Sequence, residues 1–496
     1  MIALARVGLL AANEEFRSPA SVVPGSPQSY GACPVWRRRR GWGHRMIPTE
    51  REFSAASATA AGESDAFESR TMAKVASRLI PFLLIGFFLA FVDRVNVGFA
   101  NATMSHDLGL SAAAFGRAAG IFFIGYFFFE VPSNLALNKF GARAWLARIM
   151  FTWGIMSAAQ AFVAGEAGLD IVRFLLGIAE AGFLPGVIFF LTLWFPSAYR
   201  ARIFGWFLVS VPASFAVGAP ISGPILDMDG IGGLHGWQWM FLIEALPSLL
   251  MAFALFYCLT DRPSLATWLT PVERKWLQNC LDAERTNREM LFSMNWVKAM
   301  VAPRVLLLGM VYICFTVPQF GLVFFLPQIV KDFGLTNVQA GFATAIPYVV
   351  GIIGMIHWGS HSDRTCERKW HAVISFAAMS SGLAFAAMTA SPIVKVAFLC
   401  IASWGLFSFL PVFWALPTAF LSGAGAAAGI ATINSIGALG GYFGPSIFGQ
   451  LRDWTGTDLA GLTFLAACPI VGIVIVLVLG HNSLLERPAE TAPAAV

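Results

Sequence analysis

Asp93 and Arg94 stand side by side in FVDRVNVGFA (residues 91–100), directly after the apolar run LIPFLLIGFFLA. A second set, Arg173 and Glu180, lies in RFLLGIAEAG at i and i+7, two helical turns apart and so on one helix face. Ionisable residues in hydrocarbon are costly and require a partner, a water-filled cavity or a task. The residue types point to a task. The planar fork of an arginine holds a carboxylate through two hydrogen bonds and keeps its charge. An Asp or Glu in low-dielectric surroundings is suited to holding a proton, because desolvation favours the neutral form and a nearby Arg the charged one. Rearranging that contact would switch the acid between loaded and empty. The competing use is structural: ion pairs that lock helices together near one mouth.

The elements that must position these residues are read from composition first. Of 496 residues, 57% are apolar and 12% charged, with 16 Trp and 45 Phe. A soluble globular chain has about 25% charged residues. Apolar runs of about 20 residues recur, each enough to cross a hydrocarbon core of about 30 Å. A barrel would show alternating segments of about 10 residues instead. The chain therefore reads as an all-α polytopic membrane protein. Its 7 Cys are scattered without CxxC spacing, which argues against a disulfide frame or a zinc site. The net charge of +5 carries no nucleic-acid signal here, because in a membrane protein the placement of Lys and Arg matters more than their sum.

Twelve spans are expected, starting near Leu79, Ala113, Ala144, Leu169, Ile203, Trp237, Val305, Val338, Ala372, Val394, Ala424 and Leu459. Every second loop is basic. Arg70, Lys74 and Arg78 precede the first span, Lys139, Arg143 and Arg148 follow the second, and Arg200 and Arg202 follow the fourth. Arg262, Arg274, Lys275, Arg285, Arg288, Lys298 and Arg304 flank the loop after the sixth, and Arg364, Arg368 and Lys369 follow the eighth. NATMSHDLGLS and DMDGIGGLHG, between them, have no Lys or Arg. This alternation places both termini and the central loop in the cytoplasm of a cell with the chain in its inner or plasma membrane. Arg117, just inside the second span, is an exception.

The expected organisation is an extension over 1–71, a six-helix bundle over 72–260, a cytoplasmic linker over 261–303, a second bundle over 304–481 and a tail over 482–496. The extension is rich in Ser, Pro, Ala and Gly and reads as disordered or as an overextended start, with Met46 or Met72 as the initiator. Its WRRRRGWGHR could touch anionic lipid, and no signal peptide is apparent. In the linker, Thr270, Pro271 and Glu273 form a capping-box pattern and predict a short helix. The two bundles are related. DLGLSAAAFG (107–116) aligns with DFGLTNVQAG (332–341), and the same offset sets NLALNKFGAR (134–143) on GSHSDRTCER (359–368). Parallel six-span repeats imply a site near the midplane between the halves and transport by rocking one half against the other.

These features resemble the major facilitator superfamily. GSHSDRTCERK is similar to its Gly-x3-Asp-Arg loop signature, with Gly359, Asp363 and Arg364 in the signature places, while the first-half counterpart departs from it with Asn134 and Asn138. FVDRVNVGFA, GIFFIGYFFFEVPSN, RFLLGIAEAGFLPG, GWQWMFLIEALPS, LPVFWALPTAFLSG and INSIGALGGYFGP resemble, in order, the anion:cation symporter family. That resemblance implies proton-coupled uptake of a small organic anion, such as a sugar acid, tartrate or an aromatic acid like phthalate. It implies that Asp93 and Glu180 are proton-coupling acids and that Arg94 and Arg173 serve the anion. It also puts Tyr126, Trp414 and Asn434 at substrate positions. Phe91 stands where the family commonly has Tyr. Glu130, one turn beyond Tyr126, reads as an internal hydrogen-bond holder or gate residue near the cytoplasmic end. No cofactor is implied; the partners are the anion, protons and the bilayer, for a monomer.

Other signals point elsewhere. His357 and His361, four apart, form a possible metal face with only Asp363 nearby, and no metal is expected. GALGGYFG (437–444) reads as close helix packing. GAPISGP (218–224) is a hinge candidate and partly resembles a motif of antiporters, which keeps efflux open as an alternative. An enzyme is not expected, since no Gly-x-Ser-x-Gly, His-Glu-x2-His or Gly-Lys-Ser/Thr motif occurs. A transporter-derived sensor would show an added signalling domain.

Overall fold

Backbone groups in hydrocarbon have no water to bond, so a long apolar run satisfies them internally as a helix. The computed structural model describes residues 50–290, 300–365, 367–420 and 423–479, and among these residues no strand occurs. The first half comprises α1 (Glu50–Leu108), α2 (Ala112–Phe140), α3 (Ala142–Ala159), α4 (Gly165–Glu180), α5 (Phe183–Trp194), α6 (Ser197–Leu226) and α7 (Gly236–Cys258). The amphipathic α8 (Pro271–Met290) follows, and then α9 (Pro303–Lys331), α10 (Asn337–Thr365), α11 (Lys369–Met388), α12 (Pro392–Phe420), α13 (Gly423–Thr455) and α14 (Asp458–Val478). The start of α8 is the expected capping box: Thr270 N–H donates to Glu273 Oε2 at 2.8 Å, and Glu273 N–H to Thr270 Oγ1 at 3.3 Å.

Among the described residues, ten segments are long and apolar enough to cross a membrane, with α4 and α5 together making one of them. α3, packed on α7 and α4, and α13, packed on α9 and α2, complete the twelve expected spans. α1 is helical from Glu50, well ahead of the span expected near Leu79. The polybasic stretch and the tail over 482–496 lie outside the described residues.

The halves meet through α2 on α13, α6 on α10, and α1 on α9. The second span of each half thus faces the fifth of the other, as a parallel pseudo-two-fold requires. They are joined at the end bearing the 109–111 and 332–336 loops. There Asp453 of α13 accepts from the N–H groups of Ala112 and Ala113 at 3.0 and 2.8 Å, capping α2 from the opposite half. Asn337 donates to Asp227 at 2.7 Å, and Asn101 to Gln328. The backbones approach so closely that a Cβ at Gly116 would lie 2.2 Å from the Pro445 carbonyl oxygen. Arg117, the exception to the charge alternation, pairs here with Glu166 and, at 2.9 Å, with Asp170.

Candidate functional site

Successive helical residues differ by about 100° in direction, so Asp93 and Arg94, adjacent in sequence, serve different neighbours. Asp93 points into the first half and is 1% exposed. Its Oδ2 accepts from Trp153 Nε1 of α3 at 2.7 Å and from Ser248 Oγ of α7 at 2.5 Å. Arg94 turns toward α4 and forms an ion pair with Glu180. Its guanidinium lies over the rings of Phe91, Phe122 and Tyr126, with the guanidinium carbon 4.5, 5.2 and 5.6 Å from their centroids. These ring faces add a cation–π attraction to the pair.

Glu180 is the last residue of α4, because the fourth span is broken there. Gly182 takes φ +87°, a left-handed conformation that a side chain disfavours, and α5 restarts at Phe183. A Cβ at Gly182 would also strike Ser133 Oγ of α2 at 2.4 Å. The break thus presents Glu180 to α1 from the end of a half-helix. Arg173 shares the helix face of Glu180 and makes its hydrogen bonds to backbone. It is fully buried, and its guanidinium donates to the carbonyl oxygens of Ala118 and Ala119 on α2, at 3.4 and 3.1 Å, between the rings of Phe122 and Phe324. In this conformation Arg173 braces α2 against α4 and places positive charge behind Phe122.

Glu130 of α2 accepts from Asn434 Nδ2 of α13 at 3.2 Å, a hydrogen bond from one half to the other. Tyr126, one turn earlier, is buried beside Arg94. Facing them from the second half, Tyr312 of α9 stacks on Phe413 (centroids 5.0 Å, 5° between planes) and meets Trp414 edge-on at 5.1 Å. The structure therefore brings Arg94, Glu180, Tyr126, Glu130, Asn434 and the Tyr312–Trp414 pair to one face between the halves, with Asp93 and Arg173 just behind it. The loop signature is separate: Asp363 pairs with Arg368 at 2.6 Å, Gly359 packs on Pro411, and Arg364 is exposed. His361 Nδ1 lies 2.8 Å from His371 Nε2, and no group of three or more His, Cys, Asp or Glu side chains among the described residues is placed to hold a metal ion.

Not foreseen from the sequence are Trp153 and Ser248, which hold Asp93, the ring of Tyr312, and the buried Glu244. A signal existed for the last: an acid inside the apolar helix GWQWMFLIEALPS.

The Major Facilitator Superfamily profile matches residues 83–445 and 308–494. The chain belongs to the Major Facilitator Superfamily. Among superfamily relatives, a putative tartrate transporter of Agrobacterium vitis is 47% identical over 86% of this chain and 94% of its own length. A quinolone resistance transporter of Acinetobacter baumannii is 42% identical over 82% of this chain and 94% of its own. A solved D-xylose-proton symporter shares this facilitator's fold with a TM-score of 0.64, at 16% identity, over 81% of this chain and 96% of its own. The chain is a membrane transporter of that superfamily and not an enzyme.

Proposed function

We propose that this transporter couples the uptake of a small organic anion, a carboxylate such as tartrate, a sugar acid or an aromatic acid, to protons by alternating access. The observation that carries the reading is the buried Arg94–Glu180 pair at the face between the halves, with Asp93 held separately behind it. A carboxylate arriving at Arg94 competes with Glu180 for the guanidinium. Once displaced, Glu180 is a buried acid without its cation, and protonation relieves it. Anion binding and proton binding then favour each other. Asp93 is the second proton-coupling acid. Arg173 supports the anion through its charge, and Tyr126, Trp414 and Asn434 contact it. Gly359, Asp363, Arg364 and Glu130 serve gating. Relatives named tartrate transporters favour a carboxylate.

The basic loops put the 109–111 end of the bundle outside the cell and both termini in the cytoplasm. The state described is then closed on the outside, with Asp453 and Gly116 in the closed seam. One chain supplies both halves of the site. A second reading, export of organic anions, is favoured by the relative named for quinolone resistance.

The test uses the whole chain in liposomes in weak buffer, with tartrate, sugar acids, phthalate and hydroxyphenylacetate added in turn while external pH is followed. Alkalinisation with one compound, lost in Glu180→Gln although some exchange persists, is the expected result. Silence across the panel from folded protein would overturn proton-coupled carboxylate uptake. Substrate-driven movement only against an opposing proton flux would select export.

A further inference from the structure

Glu244 lies near the middle of α7, at membrane depth, and is 5% exposed. Its Oε1 accepts from Ser222 Oγ of α6 at 2.7 Å, while its Oε2 is buried with no hydrogen-bond partner. The Asn96 amide of α1 lies against it. Helical spacing ties this group to Asp93. Ser248, one turn beyond Glu244 on α7, donates to Asp93 at 2.5 Å, and Asn96 is one turn beyond Asp93 on α1. Asp93 likewise has a buried oxygen, Oδ1, without a partner. A polar seam therefore runs between α1, α3, α6 and α7, with an acid at each end.

The ionisable group facing Glu244 is Asp93, from α1. α3 brings Trp153 and Ser157 to the seam and α6 brings Ser222, none of which ionises at ordinary pH. The nearby cation Arg94 is committed to Glu180. A buried carboxylate without a cation is strongly disfavoured, and two in Coulombic range cannot both be charged at that depth.

We propose that Glu244 is a proton-binding site coupled to Asp93, so that the two carboxyls titrate as a pair and Glu244 sets the proton affinity of Asp93. This rests on the reading of Asp93 as a proton-coupling acid. A proton on one acid leaves the charge on the other, and Ser248, Asn96 and Ser222 supply the hydrogen bonds for either arrangement.

The experiment compares the full chain with Glu244→Gln in liposomes, by two readouts. Infrared difference spectra across a pH titration, in H2O and D2O without substrate, follow the carboxyl C=O bands. Substrate uptake against pH follows function. The expected result is loss of one pH-dependent carboxyl band in Glu244→Gln and displacement of the uptake midpoint toward lower pH by about one unit, the scale of interacting acids. An unchanged set of bands overturns the proposal. A lost band with an unmoved midpoint also overturns it, because Glu244 would then titrate independently of Asp93. Should Glu244→Gln fail to fold, Ser222→Ala must shift the same band, and an unshifted band counts against the proposal. The infrared readout needs no transport, so a lost carboxyl band without pH-driven uptake in the unaltered protein would sink the symport reading and leave only the paired titration of Glu244 and Asp93.

Discussion

In the first half, Asp93, Arg173, Glu180 and Glu244 are buried inside α1, α4 and α7. In the second half, the Asp, Glu, Lys and Arg residues sit at the helix ends: Lys331 closes α9, Arg364 and Lys369 flank the turn from α10 to α11, Lys395 opens α12, and Arg452 and Asp458 bracket the turn into α14. The interior of that half is aromatic instead, with Phe376 on Phe409 at 4.2 Å, Phe409 on Phe413 at 5.2 Å and Phe413 on Tyr312 at 5.0 Å. Two repeats of one chain path have thus taken on different work. Buried charge destabilises unless it is paired, and in the first half Arg94 is paired with Glu180. The second half offers rigid rings of low polarity, each pair contributing about 0.5–1.5 kcal/mol beyond its buried area. Bringing such a wall against Arg94 lowers the local dielectric and strengthens whichever partner Arg94 holds.

The comparison breaks most readily at Arg94. Arg94→Ala leaves Glu180 buried without its cation, and breaking a buried pair costs about 3–5 kcal/mol. Thermal unfolding in detergent should show that loss, and carboxylate binding should disappear. The double variant Arg94→Leu with Glu180→Leu should recover much of the stability, since neither group is then left unpaired, yet still not bind. If Arg94→Ala binds the anion with unaltered affinity, the charged half is only structural.

Much of this division was legible beforehand. Span starts expected at Ala113, Ala144, Trp237, Val305, Val338, Val394, Ala424 and Leu459 fall within about two residues of the observed helices, because an apolar run in lipid has one way to satisfy its backbone. The early start of α1 at Glu50 escaped a reading by hydropathy, although EREFSAASATAA is rich in good helix formers. The break after Glu180 was written locally in EAGFLPG but was hidden inside a continuous apolar run. Partners were not legible at all. That Asp93 meets Ser248 while Arg94 meets Glu180 depends on which helices surround α1, and no spacing within α1 encodes that.

Tyr312 sharpens the comparison from the aromatic side. Its hydroxyl lies within reach of the Trp414 indole, and its ring carries the stack on Phe413. Tyr312→Phe keeps the ring and removes one hydrogen-bonding group, worth about 0.5–1.5 kcal/mol. Competition binding should therefore weaken by a few-fold to about tenfold, with the pH dependence of uptake unmoved. A loss as large as that of Arg94→Ala would mean that the halves share anion recognition equally.

The smallest effect is expected at the rim of the second half, at Glu367 between α10 and α11. Burial pushes this carboxyl up, but the Trp370 N–H at 2.7 Å, the His371 ring at 2.8 Å and the His371 N–H at 3.2 Å outweigh it and hold Glu367 below the usual glutamate range. A folded value below the unfolded one gives stability that is fully present above the ordinary glutamate range. It is lost as pH falls through that range toward the lowered value. Glu367→Gln should therefore lower the unfolding temperature slightly at neutral pH and flatten its decline in acid. Capping carboxylates contribute roughly 0.5–2 kcal/mol, and partial exposure puts this one near the lower end. Proton-driven accumulation should be untouched, because Glu367 titrates at a helix terminus and not at the face between the halves. If the substitution moved the uptake midpoint along with the unfolding curve, the second half would contain a coupled acid, and the contrast between a charged half and an aromatic one would fail.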